Sequence, residues 1–150
     1  MLNSHFQTEM VVDQPREVVF AYVTAAEHLP QWTPGILEYA VVGEGPLRIG
    51  AEVQTLQQFM GRRVEVRERV VDYAPPWRYA VQGEAGRLTY EAVYLFDPAP
   101  SGTRVSLTIA GLSQGWFRLA EPFLFVAAQR WYQARLERLK AVLETATVAV

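Results

Sequence analysis

From residue 36 to residue 110 the chain alternates apolar and polar side chains in short segments broken by glycine or proline, and from residue 113 onward apolar residues recur at helical spacing. Successive side chains of a strand point to opposite faces, so alternation marks a half-buried strand, whereas recurrence at i, i+3 and i+4 marks one face of a helix. The alternation predicts strands over Ile36–Val42, Ala51–Met60, Arg63–Tyr73, Trp77–Gly83, Leu88–Asp97 and Thr103–Ala110. Gly61, Pro75–Pro76, Glu84–Gly86 and Pro98–Gly102 supply the turns between the last five. In the final segment Phe125, Gln129, Tyr132, Leu136, Leu139 and Leu143 share a helix face, while Arg130, Arg135, Glu137, Arg138, Lys140 and Glu144 are assigned to the polar remainder. This pattern runs to Thr145, with Pro122 either breaking it or occupying the first turn of the main helix.

One further strand opens the chain, His5–Asp13, carried by Phe6, Met10 and Val12 on one parity with Thr8 between them. Pro15 ends it and suits the first turn of a helix over Arg16–Ala25, where Val18, Val19, Tyr22 and Val23 recur at helical spacing. A second short helix over Glu27–Trp32 is stopped by Pro34–Gly35. A length of 150 residues suits a single domain, 1–150, with a core of its own.

Bulk chemistry removes several functions. The net charge of -2 gives no electrostatic footprint for nucleic acid, and Arg62, Arg63, Arg67 and Arg69 are interleaved with Glu65 and Glu68 as on a solvated strand face. The absence of cysteine excludes disulfides, thiolate nucleophiles and cysteine-ligated metals. His5 and His28 lack zinc-site spacing, so no metal and no cofactor is expected. Ser4, Ser101, Ser106 and Ser113 lie in no nucleophile-elbow pattern, and Gly43, Gly45 and Gly50 have the wrong spacing for a nucleotide loop. The Met1–Met10 stretch is not patterned as a secretory signal. The apolar tract Pro122–Ala128 is far shorter than the roughly 20 residues that cross a bilayer, and a cytoplasmic location is the expectation.

Strand parity then divides the sheet into a dry and a wet face, as antiparallel sheets allow. Leu88, Tyr90, Ala92, Tyr94 and Phe96 share one apolar parity, as do Val105, Leu107 and Ile109, and Val64, Val66 and Val70. Glu68 falls on that dry parity, where an unpaired carboxylate costs several kcal/mol or takes up a proton. Either a β-bulge or an edge position turns it outward, or the space it faces is polar. Gln57, on the parity of Val53, Thr55 and Phe59, raises the same question.

The order of strand, two short helices, six strands and a long helix resembles the START-like or Bet v 1-like (SRPBCC) superfamily, and within it the polyketide cyclase/dehydrase-like family. The likeness covers nearly the whole chain. It rests on Pro15 with Val19–Phe20, Trp32 with Pro34, Gly50, Val70 before Pro75–Pro76, Gly102–Thr103 with Val105, and Leu136, Leu139–Lys140 and Leu143–Glu144. The resemblance implies an α+β helix-grip fold, a curved seven-stranded antiparallel sheet around the long C-terminal helix. It also implies a pocket between the two for lipids, sterols, polyketides, hormones and other hydrophobic molecules. The family carries no universal catalytic residues, so the likeness speaks for binding more than for any reaction. Its iron-sulfur relatives need Cys and His ligands that this chain lacks.

The partner expected is therefore a small hydrophobic or aromatic molecule. Trp32, Phe59, Tyr79, Tyr90, Tyr94, Phe125 and Tyr132 are the candidate lining, with Phe96 beside them, and Gln57 or Glu68 would orient a polar group. A second reading is a cyclase or dehydratase in which Glu68, raised in pKa by burial, removes a proton next to a carbonyl while a tyrosine hydroxyl stabilises the enolate. A third is a co-chaperone-like interaction module. For it, or for a homodimer contact or a gate, Phe117, Phe123 and Trp131 are assigned to an outer helix face.

Overall fold

The computed structural model describes residues 3–42, 47–59, 61–86, 88–112 and 121–148. The elements follow in the order β1 (Asn3–Val12), α1 (Arg16–Val23), a 3-10 turn (Ala26–His28), α2 (Leu29–Trp32), β2 (Ile36–Val42), β3 (Glu52–Phe59), β4 (Arg62–Ala74), β5 (Arg78–Ala85), β6 (Leu88–Ala99), β7 (Gly102–Leu112) and α3 (Glu121–Val148). The expected elements are all present among the described residues, with ends shifted by a few residues; residues 113–120, where the helical pattern begins, lie outside them. The second short helix divides into the 3-10 turn and α2, and Pro122 stands in the first turn of α3, where its missing N–H has no helical partner to lose. Gly83, expected to end its strand, lies inside β5.

The seven strands form one antiparallel sheet in the order β1-β7-β6-β5-β4-β3-β2. Each of the five connections from β2 to β7 joins strands that are neighbours in that order, and β1 returns to cover the far edge of β7. Gly61, at φ 77°, turns β3 into β4, a backbone conformation in which a Cβ would be strained.

The parity expectation holds at most positions, although Ser106, on the polar parity, and Ala80, between Tyr79 and Val81, are buried too. Val66, Val70, Val81, Ala92, Tyr94, Phe96, Val105, Leu107 and Ile109 are buried, and Arg63, Glu65, Arg67, Arg69, Glu91 and Arg104 are exposed. The helix α3 lies along the dry face with Tyr132, Leu136, Leu139 and Leu143 buried in the shared core. Polar bonds tie its second half down. The Thr8 hydroxyl donates to Gln133 Oε1 (2.8 Å), Lys140 Nζ to the Val11 carbonyl (3.0 Å), Gln14 Nε2 to the Leu143 carbonyl (2.9 Å) and Arg138 Nε to the Gln31 carbonyl (2.9 Å). No helix among the described residues is long and apolar enough to cross a membrane.

Glu144 closes this clamp, accepting from Lys140 Nζ at 2.6 Å and from the Asp13 backbone N–H at 3.0 Å. These bonds hold its carboxyl below the ordinary glutamate range, the Lys140 bond being the larger cause and the Asp13 bond the next. A depressed folded value adds stability that is present above the unfolded value and fades as the pH falls through the folded one. Glu144→Gln should therefore cost a little stability at neutral pH, and the gap to wild type should close below about pH 4.5. Urea melts at pH 7 and pH 3 check this, and a gap of the same size at both would refute it.

Candidate functional site

Three neighbouring strands bring the site together in one row. Glu68 of β4 pairs with Gly83 of β5, and Gly83 pairs with Tyr90 of β6. All three lie on the face that α3 covers. The Tyr90 hydroxyl crosses β5 and donates to Glu68 Oε2. Gly83 makes this crossing possible, because a Cβ built there would stand 2.2 Å from Tyr90 Cζ and 2.5 Å from its hydroxyl oxygen. Nothing in the alternation marked Gly83, although a glycine inside a strand pattern does signal close approach by another group.

The structure settles which way Glu68 points. A register shift does interrupt β4, but it falls between Val70 and Asp72, past Glu68, and so leaves Glu68 on the inner face, where it is half-buried. No bulge turns Glu68 outward. Gln57 also keeps the inner parity but not the company: it pairs with Val64, four residues along β3 from Val53, which pairs with Glu68. At about 3.3 Å per residue it stands about 13 Å from the Glu68 row, and its Nε2 donates to Thr55 Oγ1 at 2.7 Å.

Opposite the sheet the largest departure from expectation is Arg135. Assigned to the polar side of the helix, it is instead only 6% exposed. Its guanidinium lies 4.2 Å from the centroid of the Trp32 ring and 5.7 Å from that of Trp131. Such a planar cation stacks on aromatic faces and keeps its charge where an ammonium would lose it. Burial is the largest influence on it and opposes the charge, yet Tyr94, Glu68, Tyr132 and Tyr90 outweigh that and raise its pKa. Its position could have been read from the spacing, since residue 135 follows Tyr132 by three and precedes Leu139 by four. Trp131 likewise leaves the outer face assigned to it. It is half-buried against the core, edge-on to Tyr132 at 4.8 Å.

Tyrosines fill the space between these charges. Tyr79 and Tyr94 pack at 5.8 Å between ring centroids, Trp32 meets Tyr94 edge-on at 6.2 Å, and Tyr132 packs against Phe6 at 5.9 Å. Burial first, and the charge of Glu68 second, push the Tyr79, Tyr90 and Tyr132 hydroxyls up. Tyr94 rises to about 12, burial being the main cause, with Arg135 opposing and Glu68 adding. At neutral pH all four are therefore neutral phenols, able to donate hydrogen bonds. Phe96 packs deeper, against Phe20 at 5.2 Å. The side chains of Phe59, Phe123 and Phe125, and Phe117 altogether, lie outside the described residues.

Burial falls along the inner face. Tyr79, Tyr94, Phe96 and Leu107 are closed off, whereas Thr55, Gln57, Val64 and Leu88, toward the β3–β4 and β5–β6 hairpins, are half-buried. Glu68 and Tyr90 are half-buried between these regions, with Val66 beyond Glu68 still buried. Below them a space of about 10 Å³ is bounded by Trp32, Glu68, Val70, Tyr79, Tyr94 and Arg135 among others, close to the least that holds one water.

A seven-stranded antiparallel sheet gripping one long helix, with charged and phenolic groups on the gripped face, defines the START-like helix-grip class. The chain belongs to the family described as polyketide cyclase / dehydrase and lipid transport, which matches residues 4–144. Among solved structures it is similar to the Zhui aromatase/cyclase of a Streptomyces species, with a TM-score of 0.81, 16% identity and coverage of 95% of this chain and 94% of that one. It is similar also to a Staphylococcus aureus protein of unknown function (TM-score 0.78, 12% identity, 97% and 96% covered). A Thermus thermophilus protein gives a TM-score of 0.76 at 22% identity, with 95% and 99% covered. At these identities the likeness carries the fold alone. No curated protein matches the chain in sequence.

Proposed function

We propose that this protein binds a small hydrophobic or aromatic molecule between the inner face of the sheet and α3. The observation that carries the reading is the Tyr90–Glu68 pair, a polar contact on the largely apolar inner face where both partners are half-buried. A few convergent polar groups at the floor of an apolar space are the usual make-up of a small-molecule site. The apolar body of the ligand would lie against Val64, Val66 and Leu88, and its polar end would meet Glu68 and Tyr90. Incubation with a mixture of lipids and aromatic ketones, followed by native mass spectrometry, tests this. A retained ligand that is lost on filling the floor with Val66→Trp supports it, and a chain that retains nothing contradicts it.

The pair also favours a catalytic form of the same reading. A carboxylate beside neutral phenols can take a proton next to a carbonyl while a phenol stabilises the enolate, the chemistry of a cyclase or dehydratase. Glu68→Gln should then abolish turnover and leave retention of the ligand nearly intact, whereas in a pure binder it changes affinity alone. The interaction-module reading loses its support at Trp131, which packs against the core.

A further inference from the structure

We infer that Trp32 and Arg135 form a separate acceptor site in this interior, built to take an uncharged oxygen of the ligand, a carbonyl or an ether; the inference rests on the ligand-binding reading above. The buried polar atoms without a partner among the described residues include those of Arg16, His28 and Thr33, and two of them are donors that meet in this interior, the indole Nε1 of Trp32 and Nε of Arg135. They belong to side chains stacked on each other, one from α2 and one from α3, and both line the same small space. Buried donors are nearly always paired in folded proteins, so two adjacent exceptions mark a place for an oxygen. Neither residue can accept a hydrogen bond through its side chain, so the missing partner is an acceptor and not a hydroxyl acting as donor.

The charge balance decides which acceptor. Arg135 and Glu68 feel each other's charge across the space, and they are the two opposite charges that line it. The floor is therefore already neutral. A carboxylate ligand would add a second negative charge to a poorly solvated interior, whereas a carbonyl oxygen satisfies the donors without one.

Three probes of one shape separate the possibilities: acetylnaphthalene, naphthoate and ethylnaphthalene, titrated into the intact protein by calorimetry. Acetylnaphthalene should bind at least tenfold more tightly than either of the others. Arg135→Met keeps an unbranched stem over Trp32, and Trp32→Phe keeps a ring without the N–H. Arg135→Met should weaken acetylnaphthalene by about tenfold or more, the range for a hydrogen bond to a charged donor, and Trp32→Phe by about fivefold, as for a neutral one; each should change ethylnaphthalene by less than about threefold. Circular dichroism melts establish that each variant is folded, and the wild-type ranking stands as a test without them. Equal binding of the ketone and the hydrocarbon would overturn this site, leaving water as the partner of the two donors, while leaving the cavity reading intact. Tighter binding of naphthoate would overturn the uncharged-ligand assignment. Binding of none of the three would overturn the cavity reading along with it.

Discussion

Replacing Gly83 by valine should separate Tyr90 from Glu68 and remove ligand retention. The ring of Tyr90 occupies the volume that a side chain at 83 would need, with its Cζ 2.2 Å from the Cβ position, so the ring must leave or β5 must shift. Overpacking a filled site costs about 1–3 kcal/mol. The loss of a hydrogen bond to a charged acceptor adds about 1.5–3 kcal/mol. A double-mutant cycle with Tyr90→Ala separates this from general damage: once the ring is gone the valine has room, so the second substitution should cost far less than the first. Additive costs in urea melts would mean that the glycine serves the backbone of β5 and not the crossing of Tyr90.

The second large effect concerns the two opposed charges, and it should be asymmetric. Arg135 is buried over the Trp32 indole, while Glu68 is half-buried and holds Tyr90. Glu68→Leu leaves a deeply buried cation facing only phenols and rings, which should cost about 2 kcal/mol, less than the roughly 3–5 kcal/mol seen when a buried pair in direct contact is broken. Arg135→Leu leaves a carboxylate that still has its phenol and some access to water, and should cost less than Glu68→Leu. The double variant should recover most of the loss, because a pair replaced by well-packed apolar groups is often neutral. Equal single costs with no recovery would show that the two charges act independently.

These two predictions rest on residues that the alternation pattern treated very differently. Parity alone put Glu68 and Tyr90 on one face, because the period of a strand is two and a single misfit stands out against three valines. Parity says nothing about rows, however. Gln57 and Glu68 share a face, yet strand pairing sets them about 13 Å apart, and that follows only once register is known. Gly83 was legible as a glycine near a turn, and its purpose depends on a tyrosine from the next strand. At Arg135 charge and spacing disagree: the spacing matches the buried face, whereas a cation ordinarily marks a solvated one. A guanidinium with an aromatic shelf under it is the exception to that rule. The fold itself, being carried by many residues in agreement, survived each of these local errors.

On the proposed function, a ligand enters between sheet and α3 and reaches the Glu68–Tyr90 pair and Arg135. A crystal structure after soaking with acetylnaphthalene tests it most directly. Ring density is expected against Val64, Val66 and Leu88, with the ketone oxygen within hydrogen-bonding distance of Arg135 Nε or Trp32 Nε1. Density only on the exposed face of the sheet, or an interior closed over by its own side chains with no ligand in it, would contradict it.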